Sequence, residues 1–150
     1  MKKDVIISIR GLQFVQDGDE TEPVEVVTCG EYYKKDQTHY LLYDEMTEGF
    51  KEVTRNVIKF KDKSLEVKKK GLINVQMVFE ENKKTFSYYQ TPFGVLNMGI
   101  SATDVRLYEG TDNIAFHVDY ALDINDQYVA DCEIAMNVKS RDGGNFHLGS

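Results

Sequence analysis

Three histidines, two cysteines and a cluster of carboxylates are the side chains of this sequence most suited to proton transfer, nucleophilic attack or metal binding. His117 and Asp119 lie two residues apart, the spacing that puts both on one face of a β-strand as an acid/base couple or a pair of metal ligands. A metal centre needs three or four convergent ligands, however. Ala115, Ala121 and Asp123 share that face, which reads as the solvated outside of a strand. His147 falls in a polar tail at residues 141–150, and His39 opens a short strand at residues 39–43. Asp44, Glu45 and Glu48 cluster in a stretch without alternation, read as a connection or helical turn rather than as carboxylates facing each other across a pocket.

Nucleophilic chemistry at cysteine needs a positioned base and an electropositive setting for the thiolate. Cys132 alternates with Ile134 and Met136 as a core filler would, and Cys29 has no neighbouring histidine in sequence. Both are expected to be reduced, buried thiols of a cytoplasmic protein, because no export signal precedes the first strand. GxSxG, P-loop, HExxH and strand-linked GxGxxG motifs are all missing. The sequence therefore predicts no catalytic residue, no metal and no cofactor.

The elements that would position these groups are strands. Ile114, Phe116, Val118, Tyr120, Leu122 and Ile124 occupy alternate positions, and Tyr128, Ala130, Cys132, Ile134, Met136 and Val138 repeat the pattern. A period of two places one set on a buried face and the other toward water. Turn-forming clusters at Asp17-Gly18-Asp19, Lys34-Lys35-Asp36-Gln37, Lys61-Asp62-Lys63-Ser64, Glu81-Asn82-Lys83-Lys84, Gly110-Thr111-Asp112-Asn113 and Asn125-Asp126-Gln127 cut the chain into about ten strands. At 150 residues with only two prolines, residues 1–140 form one all-β domain able to bury its own core.

Phase decides between sandwich and barrel. Leu96, Met98 and Ile100 are even-numbered, whereas Val105 and Leu107 are odd, so a bulge or bend is predicted between Ile100 and Asp104. Strands that bend in this way let a sheet curl round, and closure removes exposed edges. The expected fold is a closed antiparallel barrel of about eight to ten strands.

Such a barrel is just wide enough to be filled by side chains or to hold one small ligand. The large residues assigned to its interior or mouth are Met77, Phe79, Phe86, Tyr88, Phe93, Phe116, Tyr120 and Met136, and these are the candidate lining of a site for a small apolar or amphipathic molecule. The charge distribution offers a second reading. The net charge of −7 disfavours nucleic acid as a partner. Between Lys51 and Lys84, however, ten basic residues face five acidic ones. Lys59, Lys61, Lys63, Lys68, Lys69 and Lys70 are either solvated strand faces or a surface for an acidic protein partner. No apolar run is long enough to span a membrane as a helix.

The run Thr91-Pro92-Phe93-Gly94-Val95-Leu96-Asn97-Met98-Gly99-Ile100 resembles the Thr-Pro-aromatic-Gly signature of the YwiB-like small β-barrel proteins of Firmicutes. Residues 40–45, 71–79, 118–123 and 128–129 follow the same order, so the resemblance spans nearly the whole chain. It implies a calycin-like, lipocalin-like barrel and brings no catalytic residues with it.

Overall fold

The computed structural model describes residues 3–17, 20–46, 49–111 and 113–141, with the side chains of residues 12–17 and 20–24 outside the description. Ten strands occupy these residues: β1 Lys3–Asp17, β2 Glu20–Lys35, β3 Thr38–Met46, β4 Val53–Lys61, β5 Ser64–Lys70, β6 Val75–Glu80, β7 Lys83–Thr91, β8 Gly94–Glu109, β9 Asn113–Ile124 and β10 Gln127–Ser140. They form one antiparallel sheet in the order β6-β5-β4-β3-β2-β1-β10-β9-β8-β7. Every neighbour is next in the chain except β1 and β10, whose pairing joins the two terminal strands. The expected all-β barrel is therefore a ten-stranded up-and-down meander. The polar tail beyond Arg141, with His147, and the turn at Gly18 and Asp19 lie outside the described residues.

The two ends of this sheet, β6 and β7, are also neighbours in the chain, joined by a turn at Glu81 and Asn82. They do not form a continuous ladder. Instead the Thr85 hydroxyl donates to the Val78 carbonyl and the Ser87 hydroxyl to the Gln76 carbonyl, each at 2.6 Å. Farther along, Asn74 and Gln90 exchange backbone bonds of 3.0 and 2.9 Å. Side chains thus supply donors that a paired strand would otherwise bring, and the barrel closes with its edge carbonyls satisfied.

The predicted bulge is present. The β8–β9 register shifts between Ala102 and Asp104, with the Thr103 hydroxyl bonded to the Asp119 carbonyl. Val105, just beyond it, donates its N–H to Glu81 at 3.0 Å, and its carbonyl accepts from Lys63 at 3.3 Å. The β6–β7 turn therefore holds the bend in β8. A second bulge, between Arg10 and Gln13 of β1, uses Gly11 at φ +99°, where an added Cβ would collide with the Glu133 carbonyl.

The hairpin turns at residues 36–37, 62–63, 81–82 and 110–112 gather at one end of the barrel, and the connections near residues 46–53, 71–74, 92–93 and 125–126 at the other. Toward the first end the interior is solid: Ile58, Phe60, Leu65, Ile114 and Phe116 are fully buried, with the Phe60 and Phe116 rings 5.3 Å apart. Replacing Ser87 with Ala is expected to leave the Gln76 carbonyl without its donor and to cost about 1–3 kcal/mol in urea unfolding. Tyr88→Ser, on the exposed side of the same strand, should cost less than about 0.5 kcal/mol. Equal effects of the two changes would contradict closure through the hydroxyls.

Candidate ligand cavity

At the second end the interior is hollow. Inward positions of four adjacent strands supply most of the wall: Met77 and Phe79 from β6, Tyr89 from β7, Leu96, Met98 and Ile100 from β8, and Tyr120, Leu122 and Ile124 from β9. Ile73 and Glu45 complete it around a cavity of about 330 Å³. That volume lies at the small end of the ~300–1,000 Å³ typical of ligand pockets. Space remains partly because two inward positions of β7 hold Thr85 and Ser87, whose small side chains are committed to the seam.

One wall residue is charged. Glu45 continues the inward phase of His39, Leu41 and Tyr43 along β3, and its carboxylate meets the Lys69 ammonium at 3.1 Å. The Lys69 side chain is 1% exposed and that of Glu45 11%, so this ion pair is inside the barrel. Removing either partner would strand a buried charge. Burial, reinforced by the Glu45 charge, raises the phenols of Tyr43 and Tyr89 above their ordinary range and keeps both as neutral hydroxyls. Burial likewise raises Tyr120, whose hydroxyl donates to the Gly11 carbonyl at 3.1 Å and whose ring meets Phe79 edge-on at 5.0 Å. The β1 bulge thereby fixes one face of the cavity.

The expected lining divides into three groups. Met77, Phe79 and Tyr120 are on the cavity wall. Phe116 and Met136 point inward but are packed into the solid core, away from that wall. Phe86 and Tyr88 do not point inward: they are 65% and 66% exposed. The seam explains the correction, because turning the Thr85 and Ser87 hydroxyls toward β6 forces their neighbours outward. The Lys84 ammonium lies over the Phe86 ring at 5.5 Å. Phe93 is exposed on the β7–β8 turn, edge-on to Phe50 at 6.2 Å.

Glu45, Tyr89, Leu96, Met98, Ile100, Leu122 and Ile124 complete the wall beyond the expected set. Most were visible as members of alternating strands and passed over in favour of larger residues. Glu45 had a signal too, since His39, Leu41, Tyr43 and Glu45 share one phase, but β3 was ended too early. Asp44, Glu45 and Met46 are strand rather than connection, while Glu48 lies outside the described residues. Lys69 is a further correction: it is buried against Glu45 and does not belong to a solvated basic face.

The remaining reactive groups are elsewhere. His117 and Asp119 pair at 3.1 Å on the outer face, and the β8 bulge brings Asp104 beside them, with ligand atoms of all three within 4.8 Å. Arg106 already balances Asp104 at 2.8 Å. Cys29 is exposed rather than buried, because its position on β2 faces outward, and Cys132 is half-buried, its thiol raised by burial. His39 is fully buried and stacked on Phe60 at 4.7 Å, between the Tyr32 hydroxyl at 2.8 Å and Glu109 at 3.1 Å. An ionised carboxylate only accepts, so His39 Nε2–H donates to Glu109 while Nδ1 accepts from Tyr32.

The profile of a family described as a domain of unknown function, DUF1934, matches residues 7–136. The chain belongs to the DUF1934 family. It is 24% identical over 106 residues to the uncharacterised β-barrel protein YwiB of Bacillus subtilis strain 168, covering 71% of this chain and 73% of YwiB. It also superimposes on the crystal structure of the ywiB protein from Bacillus subtilis with a TM-score of 0.72 and 17% identity, over 93% of this chain and 92% of that one. The matched DUF1934 segment contains every residue of the cavity wall. In its Thr-Pro-Phe-Gly run, Thr91 Oγ1 accepts the Phe93 N–H and donates to the Gly94 carbonyl, each at 3.1 Å, and Gly94 adopts φ +139°. The signature builds the β7–β8 turn beside the open end.

Burial lowers the basicity of His39 below its ordinary 6.5, with Glu109 opposing that shift and Lys34 adding to it. The unfolded chain takes up this proton first as pH falls, so the stability supplied by neutral His39 is complete above pH 6.5 and drains away below it. His39→Gln should be less stable at neutral pH and show a shallower fall in urea midpoint on acidification. An unchanged pH slope would contradict a neutral His39 in the folded protein.

Proposed function

We propose that this DUF1934 protein binds a small apolar or amphipathic molecule inside its barrel, without catalysis. The observation that carries the reading is the 330 Å³ cavity, walled by Met77, Met98, Leu122 and other apolar side chains, with one carboxylate at its edge. Apolar surface gives affinity there, and a few polar groups give orientation. Exposed Met46, Phe50, Val95 and Leu96 belong to the same end of the barrel, an apolar approach to the interior. The reading includes a cytoplasmic setting, supported by the unpaired cysteines Cys29 and Cys132, which suit a reducing compartment. Among the described residues no helix is long and apolar enough to cross a membrane.

The alternative, an acidic partner docking on the basic surface, has less support. Lys63 and Lys83 are paired with Glu81 and Glu80, Lys84 with Asp123, and Lys69 is inside the barrel.

A ligand at a hundredfold excess over its Kd adds about 2.7 kcal/mol of stability, enough to raise Tm by several degrees. Soluble short-chain amphipaths should raise the Tm of the parent protein. Leu122→Trp, which fills the cavity from its wall, should remove that response while retaining the β-sheet circular dichroism. No Tm response to any amphipath, or an equal response in the folded Leu122→Trp protein, would overturn the reading.

A further inference from the structure

The polar edge of the cavity carries information about the head of its ligand. Glu45 is on the wall, and Lys69 stands behind it at 3.1 Å, outside the wall. An anionic head entering this end would meet the Glu45 carboxylate before it met the ammonium. A cationic head would reach Glu45 but would share it with Lys69, placing two positive charges on one carboxylate in a largely desolvated space. Both arrangements are penalised where water cannot screen them. An uncharged donor meets neither penalty, because a carboxylate holding one Lys bond retains acceptor capacity on its two oxygens.

The surroundings agree. Asn56 is the cross-strand neighbour of both Tyr43 and Lys69, is fully buried, and its Oδ1 has no hydrogen-bond partner among the described residues. The Asn56 amide donates instead to the Thr54 carbonyl at 3.3 Å. This end of the interior therefore offers a second acceptor and no unbalanced charge. The rest of the wall is apolar, and its volume suits a chain of medium length.

Building on the cavity reading above, we propose that the barrel selects a medium-chain amphipath with an uncharged hydrogen-bond-donating head, such as an alcohol, and discriminates against fatty carboxylates and alkylammonium ions through the Glu45–Lys69 pair. The head donates to Glu45, and the chain lies along Met98, Leu122 and Met77.

The test compares octanol, octanoate and octylammonium by calorimetry near neutral pH on the whole chain. Octanol should bind at least about tenfold more tightly than either ion, a difference of about 1.4 kcal/mol. Glu45→Gln leaves Lys69 as the local charge and should move the preference toward octanoate. Lys69→Met leaves Glu45 unbalanced and should move it toward octylammonium. Should either variant fail to fold, the three-ligand order of the parent protein still decides. Binding led by octanoate or octylammonium in the parent overturns the head-group inference alone. Silence from all three overturns the cavity reading together with it.

Discussion

An up-and-down sheet of ten strands can close only if its two last edges satisfy each other, and here those edges are β6 and β7. The Gln76 and Val78 carbonyls are the critical groups: buried without donors, each would carry a penalty of about 1–3 kcal/mol. The hydroxyls of Ser87 and Thr85 meet them at 2.6 Å. Much else follows from this choice. It fixes the phase of β7, turns Phe86 and Tyr88 to the outside, and keeps small side chains at two inward positions beside the cavity. The turn that joins the same two strands also reaches across to Val105 and holds the bend in β8.

The barrel was legible because its dominant physics is local. Alternation along residues 114–138 reports which face of each strand is buried, and the shift from even to odd between Ile100 and Val105 reports the extra residue at Thr103. The turns were legible for the same reason: Asp36, Gln37, Asn125 and Asp126 adopt the positive φ that their side chains tolerate.

The site was only partly legible, for reasons that are not local. Phe86 and Tyr88 have the size and character of interior residues, and hydrophobicity alone assigns them inward. The deciding fact is a bond between Ser87 and a carbonyl of another strand, which no periodicity reports. Lys69 stands in a run of three lysines and reads as solvated. Its burial depends on Glu45, twenty-four positions earlier and two strands away. His39 carries no motif at all, and its setting requires Tyr32, Phe60 and Glu109 to converge from three other strands.

A barrel packed solid at one end and hollow at the other, with its only wall carboxylate balanced by a buried ammonium, is organised around an interior space rather than an exposed catalytic cleft. The decisive measurement is diffraction from a crystal of the protein under xenon pressure, since xenon enters apolar cavities and scatters strongly. Xenon is expected between Met77, Met98 and Leu122. Those side chains closing against one another, with no xenon inside the barrel, would contradict a hollow interior and the binding role built upon it.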